Sequence, residues 1–326
     1  MYARFKRRSV SPSILMPSPA FSPTVSLTTL APAKLNLYLH LTGRRACGYH
    51  ELDGLFVFAD VGDVVSIAPD DTFSFCVDGP FANIVSHSDD NLVVKAVLAF
   101  AEVAGQRPKF RLKLTKNLPV AAGIGGGSAD AAATLRLMNN FWPNLRSYDL
   151  QKLALNLGAD IPACMVSRPV SVSGIGERLM SAPALRPLFM VLINDGHPIS
   201  TADVFEQFHF GQNSFSASRP LTSDEFAKDN FIPALADRRN DLEAAAKVLH
   251  PNLKILMENM RQAKGCVLAR MSGSGGTIFG LFFQKLLADA AAKSLQYTWP
   301  LAWVRCAAML SNMPPVTVFS SAETKL

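Results

Sequence analysis

Leu118-Pro-Val-Ala-Ala-Gly-Ile-Gly-Gly-Gly-Ser-Ala-Asp130 is the stretch on which the fold of this chain turns. Upstream of it Phe110, Leu112 and Leu114 alternate with polar residues, the period of a half-buried strand. Downstream, Ser128 to about Asn140 reads as an Ala-rich helix. Gly123 and the run Gly125, Gly126 and Gly127 let the backbone take positive φ and approach a ligand closely. The unpaired N–H groups and dipole of the following helix favour an anion. An isolated glycine cluster is usually a plain turn, but strand, glycine loop and helix in this order describe a phosphate cradle. Its type narrows by exclusion. There is no GxxxxGK[ST], a dinucleotide fingerprint would need glycine where Ser128 stands, and protein-kinase signatures are absent.

Outward from the loop, Leu35, Leu37, Leu39 and Leu41 alternate with Lys34, Asn36, Tyr38 and His40, predicting a half-buried strand with one polar face. A strand is expected around Leu55–Phe58, and Val64–Ile67 with Phe73–Val77 read as a hairpin. Asp90 is placed as the N-cap of a helix running to about Val103 and stopped by Gly105. Another helix spans Asp149 to Leu157, ending at Gly158. Beyond Pro183 and Pro187, strands are expected near 188–194, 266–271, 277–283 and 301–307. Helices are expected near 200–208, 235–249, 252–263 and 285–296. Without regular βαβ alternation the class is α+β. The division is a basic Ser/Pro-rich disordered tail over 1–26, an N-terminal unit over 27–183 and a C-terminal unit over 184–326.

Composition bounds the function. The chain has 326 residues, 49% apolar and 18% charged, enough for about two domains of roughly 150 residues with a substantial core. Its net charge is +6, but Arg4, Lys6, Arg7 and Arg8 carry +4 of it within the first 30 residues, which hold no acid. The remainder has 28 Lys and Arg against 26 Asp and Glu, so it offers no nucleic-acid footprint. The purest apolar run, Leu188–Ile193, falls far short of the ~20 residues a membrane helix needs. The acid-free N-terminus has the composition of a transit peptide, but its prolines favour a disordered tail or a start at Met16. Five well-separated cysteines fit reduced thiols of a cytoplasmic protein. With no CxxC or HExxH and six scattered histidines, the pattern argues against structural zinc.

Two charged residues stand out in apolar settings. Asp160, in Leu157-Gly-Ala-Asp-Ile-Pro162, is either a turn or helix cap or a functional carboxylate. Lys34 is either a solvent-facing strand lysine or a cation for phosphate. Phosphoryl transfer to an alcohol needs both kinds of group. A second glycine-rich turn, Met271-Ser-Gly-Ser-Gly-Gly-Thr277, is either a hairpin connection or a further anion contact through Gly273, Ser274 and Gly275.

In sequence order Pro32-Ala-Lys-Leu-Asn36, Gly48-Tyr-His-Glu-Leu52, Leu118 to Ser128, Leu157 to Pro162 and Met271 to Gly275 resemble the GHMP kinase superfamily. Lys34-Leu-Asn36 followed by Gly48-Tyr-His-Glu-Leu52 is similar, more narrowly, to its kinases of 4-diphosphocytidyl-2-C-methyl-D-erythritol. The resemblance runs from about Leu27 to Val304. It implies a two-domain α+β kinase with its active site in the interdomain cleft and an ATP-dependent phosphorylation of the substrate's 2-hydroxyl in non-mevalonate isoprenoid synthesis. ATP phosphates would lie on Pro119, Val120, Ala121, Ala122, Gly123, Ile124, Gly125, Gly126, Gly127, Ser128 and Ala129. Asp160 would be the base and Lys34 its cation, with Asn36, Tyr49, His50 and Phe205 around the cytosine. ATP and Mg²⁺ would be the cofactors, the metal held mainly by phosphates and water. The partners implied are small molecules, with no nucleic acid or membrane, and a monomer or weak homodimer. The competing readings are a homoserine or mevalonate type of GHMP kinase and a non-catalytic nucleotide- or RNA-binding module. The loop departs from the family's usual Gly-Gly-Gly-Ser-Ser-Asn: Ala129 lacks a hydroxyl, and Asp130 brings a negative charge toward the phosphates.

Overall fold

The computed structural model describes residues 25–142, 146–211 and 214–320. The tail expected over 1–26 therefore lies outside the described residues except for its last two, which already belong to a strand.

Two sheets organise the molecule. The first contains β1 (Val25–Arg44), β2 (His50–Pro69), β3 (Ser74–Asp78), β4 (Phe110–Thr115), β5 (Val170–Gly174), β6 (Arg178–Ser181) and β11 (Thr317–Ser320). Its path is β11-β1-β2-β4-β3, with β5 and β6 joined through β2. The second holds β7 (Phe189–Asn194), β8 (Cys266–Met271), β9 (Thr277–Phe282) and β10 (Trp303–Ala308), all antiparallel in the order β10-β7-β9-β8. The sheets thus part between residues 181 and 189. The last strand nevertheless returns to the first sheet, where Leu27 pairs with Val318. The 184–326 unit drawn from sequence gives its end to its neighbour.

The long β1–β2 ribbon corrects one expectation. Leucine alternation predicts a half-buried β1, but the polar series is buried too: Lys34 is 4% exposed, Asn36 1%, Tyr38 0% and His40 6%. Leu35 and Leu37 pack with Met190, Leu192 and Phe279 of the second sheet. Ala31, Phe56 and Phe58 belong to the core under the helices α1 and α2 described below. A strand sandwiched between two layers cannot keep a solvent face. Bulges between Pro32 and Lys34 and between Asn36 and Tyr38 flank the two polar residues of interest, and a bulge re-aims side chains.

The hairpin expected for 64–77 does not form. The end of β2 pairs with β4, Val64 opposite Thr115, and β3 runs parallel to β4 on its far side. Every second residue of β4 is buried, at Phe110, Leu112 and Leu114, whereas β3 is half exposed. β4 takes the interior place between β2 and β3, and β3 the edge.

Helices α1 (Leu92–Ala104) and α2 (Gly126–Phe141) cover this sheet with α3 (Ser147–Leu157) and α4 (Ile161–Val166). Asn91, rather than Asp90, caps α1, its side chain accepting from the Val93 amide at 2.9 Å; Gly105 closes it in the left-handed region. Val93, Val97, Phe100 and Ala101 form the buried stripe of α1. The alanines 129 and 131–133 of α2 are fully buried, and their small side chains let the helix lie close on the sheet.

On the second sheet, α5 (Thr201–Phe210), α6 (Phe231–Ala236), α7 (Glu243–Leu249) and α8 (Asn252–Gln262) lie between β7 and β8, and α9 (Lys285–Thr298) lies between β9 and β10. The single helix expected over 235–249 is broken between Ala236 and Glu243. There Asn240 Nδ2 donates to the carbonyls of Met271 and Gly273 at 3.0 and 2.8 Å, and Asp241 Oδ2 accepts the Leu41 amide at 2.8 Å. Side-chain bonds to β1 and to the second glycine turn replace a continuous helix, which no local pattern announces.

Candidate active site

The two glycine-rich turns meet. Gly123 sits at φ +71°, and a Cβ there would run into the Gly275 and Ser272 backbones; Gly273, at φ +55°, faces Gly123 in the same way. Ser272 Oγ donates to the Gly123 carbonyl at 2.9 Å and receives the Asn36 amide at 3.3 Å. The Lys34 amide donates to the Ile124 carbonyl at 2.9 Å. Only bare backbone fits this junction, and it locks both turns onto β1.

Gly125 forms the left-handed entry to α2, and a Cβ on it would lie 3.0 Å from Lys34 Cε. The lysine stem passes under the loop to reach Asp160, with Nζ 2.7 Å from Oδ2. Its ammonium also lies 4.0 Å from the Phe56 ring centre, a cation–π contact. Asp160 precedes α4 but its side chain makes no cap. The carboxylate is committed to Lys34, and neither the solvent-facing lysine nor the capping aspartate survives as an explanation. Lys34, Asp160, Gly125–Ser128, Gly273 and Ser274 all line one cleft of about 580 Å³, to which both sheet units contribute.

The GHMP kinase N-terminal domain model matches residues 91–168, and the GHMP kinase C-terminal model matches 225–301. A 4-diphosphocytidyl-2-C-methyl-D-erythritol kinase of Rhodospirillum rubrum is 43% identical over 279 residues, covering 85% of this chain and 91% of that protein. The chain belongs to the GHMP kinases, in the 4-diphosphocytidyl-2-C-methyl-D-erythritol kinase family. A crystal structure of 4-(cytidine 5'-diphospho)-2C-methyl-D-erythritol kinase superposes with TM-score 0.68 at 32% identity, over 86% of this chain and 98% of that one. A homoserine kinase from Cytophaga hutchinsonii superposes as well, TM-score 0.69, but at 16% identity over 93% of this chain and 100% of that one it shares the fold alone. The protein is therefore an ATP-using small-molecule kinase with the two-unit α+β fold. The family match favours neither the homoserine or mevalonate reading nor the non-catalytic module.

In this GHMP kinase a second hollow of about 790 Å³ adjoins the cleft, and Phe205 lines both. His50 stacks on Phe205 with centroids 4.5 Å apart and an interplanar angle of 25°. Tyr49, 58% exposed, stands at the rim, so it is not core packing. Asn36 lines the cleft, and its buried Oδ1 has no hydrogen-bond partner among the described residues. Most of the sequence-derived candidates thus line one of these two hollows, but Ile124 and Ala129 are packed into the apolar cores and Gly275 faces Met271, Ala246 and Ile199 instead.

Sequence reasoning missed several contributors. His209 Nε2 lies 2.8 Å from His50 Nε2, so one ring donates and the other accepts. Burial, then His209 and Arg44, push the His50 pKa down to about 4. Beneath the loop, Lys116 Nζ contacts Asp63 Oδ2 and Asp130 Oδ2, both at 2.6 Å. Asp63 Oδ1 in turn accepts the Asn117 and Leu118 amides at 2.6 and 2.8 Å, fixing the entry to the loop. Burial raises the Asp130 pKa against the pull of Lys116. The Lys116 pKa is raised despite burial, because both carboxylates favour its charged form. The charge at Asp130 that looked awkward for phosphate is thereby paired with an internal cation. Ile84, Val85 and Leu92 form a further apolar wall of the cleft. These contacts join residues far apart in sequence, and only the pairing of β2 with β4 places Asp63 beside Lys116.

Proposed function

We propose that the enzyme transfers the γ-phosphoryl group of ATP to the 2-hydroxyl of 4-diphosphocytidyl-2-C-methyl-D-erythritol, giving the 2-phosphate and ADP. The observation that carries the site assignment is the Lys34–Asp160 pair, 2.7 Å apart, in the same cleft as the interlocked glycine turns. Asp160 takes the proton of the attacking hydroxyl. Lys34 orients that carboxylate and offsets charge developing on the transferring phosphoryl. The loop Pro119–Ala129 and the N-terminus of α2 hold the phosphates, and Gly273 and Ser274 face them from the second unit. The apolar wall of Ile84, Val85 and Leu92 suits the adenine. Tyr49, His50 and Phe205 take the cytosine by stacking and hydrogen bonding, and the free Oδ1 of Asn36 is aimed at the substrate.

Mg²⁺ accompanies ATP in this reading, and when bound it neutralises phosphate charge. The hard oxygen donor on the cleft that fits it is the Ser128 hydroxyl, with phosphate oxygens and water supplying the rest. We read the enzyme as a cytoplasmic monomer or weak homodimer acting on small molecules without nucleic acid or membrane. In support, all five cysteines are free thiols. Among the described residues no helix is long and apolar enough to cross a membrane.

ADP release from ATP and Mg²⁺, followed in turn with the cytidyl substrate, homoserine and mevalonate, tests the acceptor. Turnover is expected with the first alone. Turnover with either of the others and none with the first overturns the proposal.

A further inference from the structure

Away from the cleft, two of the scattered histidines converge. Asp195 follows the last residue of β7, His197 lies two positions on, and His250 follows the last residue of α7, 55 residues from Asp195. His250 Nε2 lies 2.9 and 3.1 Å from the two Asp195 carboxylate oxygens. His197 Nδ1 lies 3.4 Å from Asp195 Oδ2, and one ligating atom from each residue falls within 4.8 Å of the others. We propose that Asp195, His197 and His250 form a binding site for a divalent transition metal of the zinc type, separate from the Mg²⁺ that travels with ATP.

The spacing is that of ligands around one ion. With bonds of about 2.0–2.1 Å, a tetrahedral zinc holds its ligand atoms roughly 3.3 Å apart. Two of the three edges already stand at 2.9 and 3.4 Å. Closing the third needs only a turn of His197, whose side chain is 67% exposed. Asp195, by contrast, is held: its side chain is 5% exposed, Asn252 Nδ2 donates to Oδ2 at 3.2 Å, and the His197 amide donates to Oδ1 at 3.3 Å. Such outer hydrogen bonds are what orient a metal-ligating carboxylate. Two imidazole nitrogens and one carboxylate suit zinc, cobalt or nickel, whereas Mg²⁺ and Ca²⁺ take oxygen ligands. The exposed His197 edge leaves the fourth position open to water.

None of the three residues lines the catalytic cleft. The segment they anchor does reach it, because the Ile199 amide donates to the Ala121 carbonyl of the phosphate loop at 3.3 Å. A bound ion therefore fastens the 195–199 segment to the α7–α8 turn.

The test uses the full chain, freed of metal by chelation and titrated with Zn²⁺ or Co²⁺ without nucleotide. One equivalent is expected to bind. The cobalt adduct should show the visible bands of a low-symmetry N/O site and no thiolate charge-transfer band, which excludes the exposed Cys47 and Cys76 as ligands. His197→Ala, at an exposed position, should fold normally and bind at least tenfold more weakly, in line with the roughly 10–100-fold cost of disturbing a site's support. His209→Ala, which removes the other histidine pair, should bind as the wild type does. Zinc should raise the melting temperature of the wild type and not that of His197→Ala. Binding weaker than millimolar in the wild type, or unchanged in His197→Ala, overturns the proposal.

Discussion

A buried lysine whose ionic partner among the described residues is a single carboxylate is a demanding arrangement, and it makes the catalytic pair testable one side chain at a time. Replacing Lys34 by Met strands Asp160 and removes a cation that lines the cleft beside the phosphate loop. A fall in kcat of about 10²-fold is expected, the usual scale for losing one preorganised electrostatic contact. Single-turnover rates at saturating ATP check this. The His50–His209 contact sets a pH signature. Because the His50 pKa lies near 4, its ring stays neutral at any pH well above that, so substrate KM should be flat from pH 5 to 8. In His209→Ala one of the influences lowering that pKa is gone, so it rises. KM should then climb as the pH falls toward 5 while kcat changes little. Of these residues, Lys34 and Asp160 stand out in the sequence as charges in apolar settings, while Asn36, Tyr49, His50 and Phe205 are pointed to by the family resemblance alone. Lys116, Asp63 and His209 were not legible, because each acts through a partner supplied by tertiary packing.

At the scale of elements, legibility followed how local the determining contacts are. The glycine loop with its helix and the four strands of the second sheet stand where apolar period and breaker residues put them. The 64–77 hairpin failed because β4, remote in sequence, competes better for the edge of β2. The 235–249 helix failed because Asn240 and Asp241 bond to β1 and to the second glycine turn. The junction of the two turns yields a paired expectation. Gly105 has positive φ but open space around it, so Gly105→Ala should cost only about 1 kcal/mol. Gly123→Ala adds a collision with the Ser272 and Gly275 backbones, so it should cost more than Gly105→Ala and abolish ATP binding. Equal denaturation midpoints for the two variants would deny that the turns interlock. Asn240→Ala leaves two carbonyls of the second turn without their donor and should cost about 1–3 kcal/mol.

For the molecule as a whole, the chain order and the spatial units do not coincide. β11 returns from beyond the second sheet to pair with β1, and Thr29 Oγ1 donates to the Pro315 carbonyl at 2.9 Å. A chain ended after Val316 should unfold at lower denaturant with its kcat preserved, since no residue of β11 lines the cleft. The overall charge of +6 carries no functional message at this scale. The first 30 residues supply +4 of it, and the cations that matter are the inward-facing Lys34 and Lys116. The central claim is that phosphoryl transfer runs through Asp160 in the cleft between the two sheets. It is tested most directly by Asp160→Asn, with kcat for the cytidyl substrate and the ATP dissociation constant measured on the same protein. ATP affinity is expected within a few-fold of wild type and kcat reduced by about 10²–10⁴-fold. A variant that binds ATP and turns over at the wild-type rate would contradict the claim.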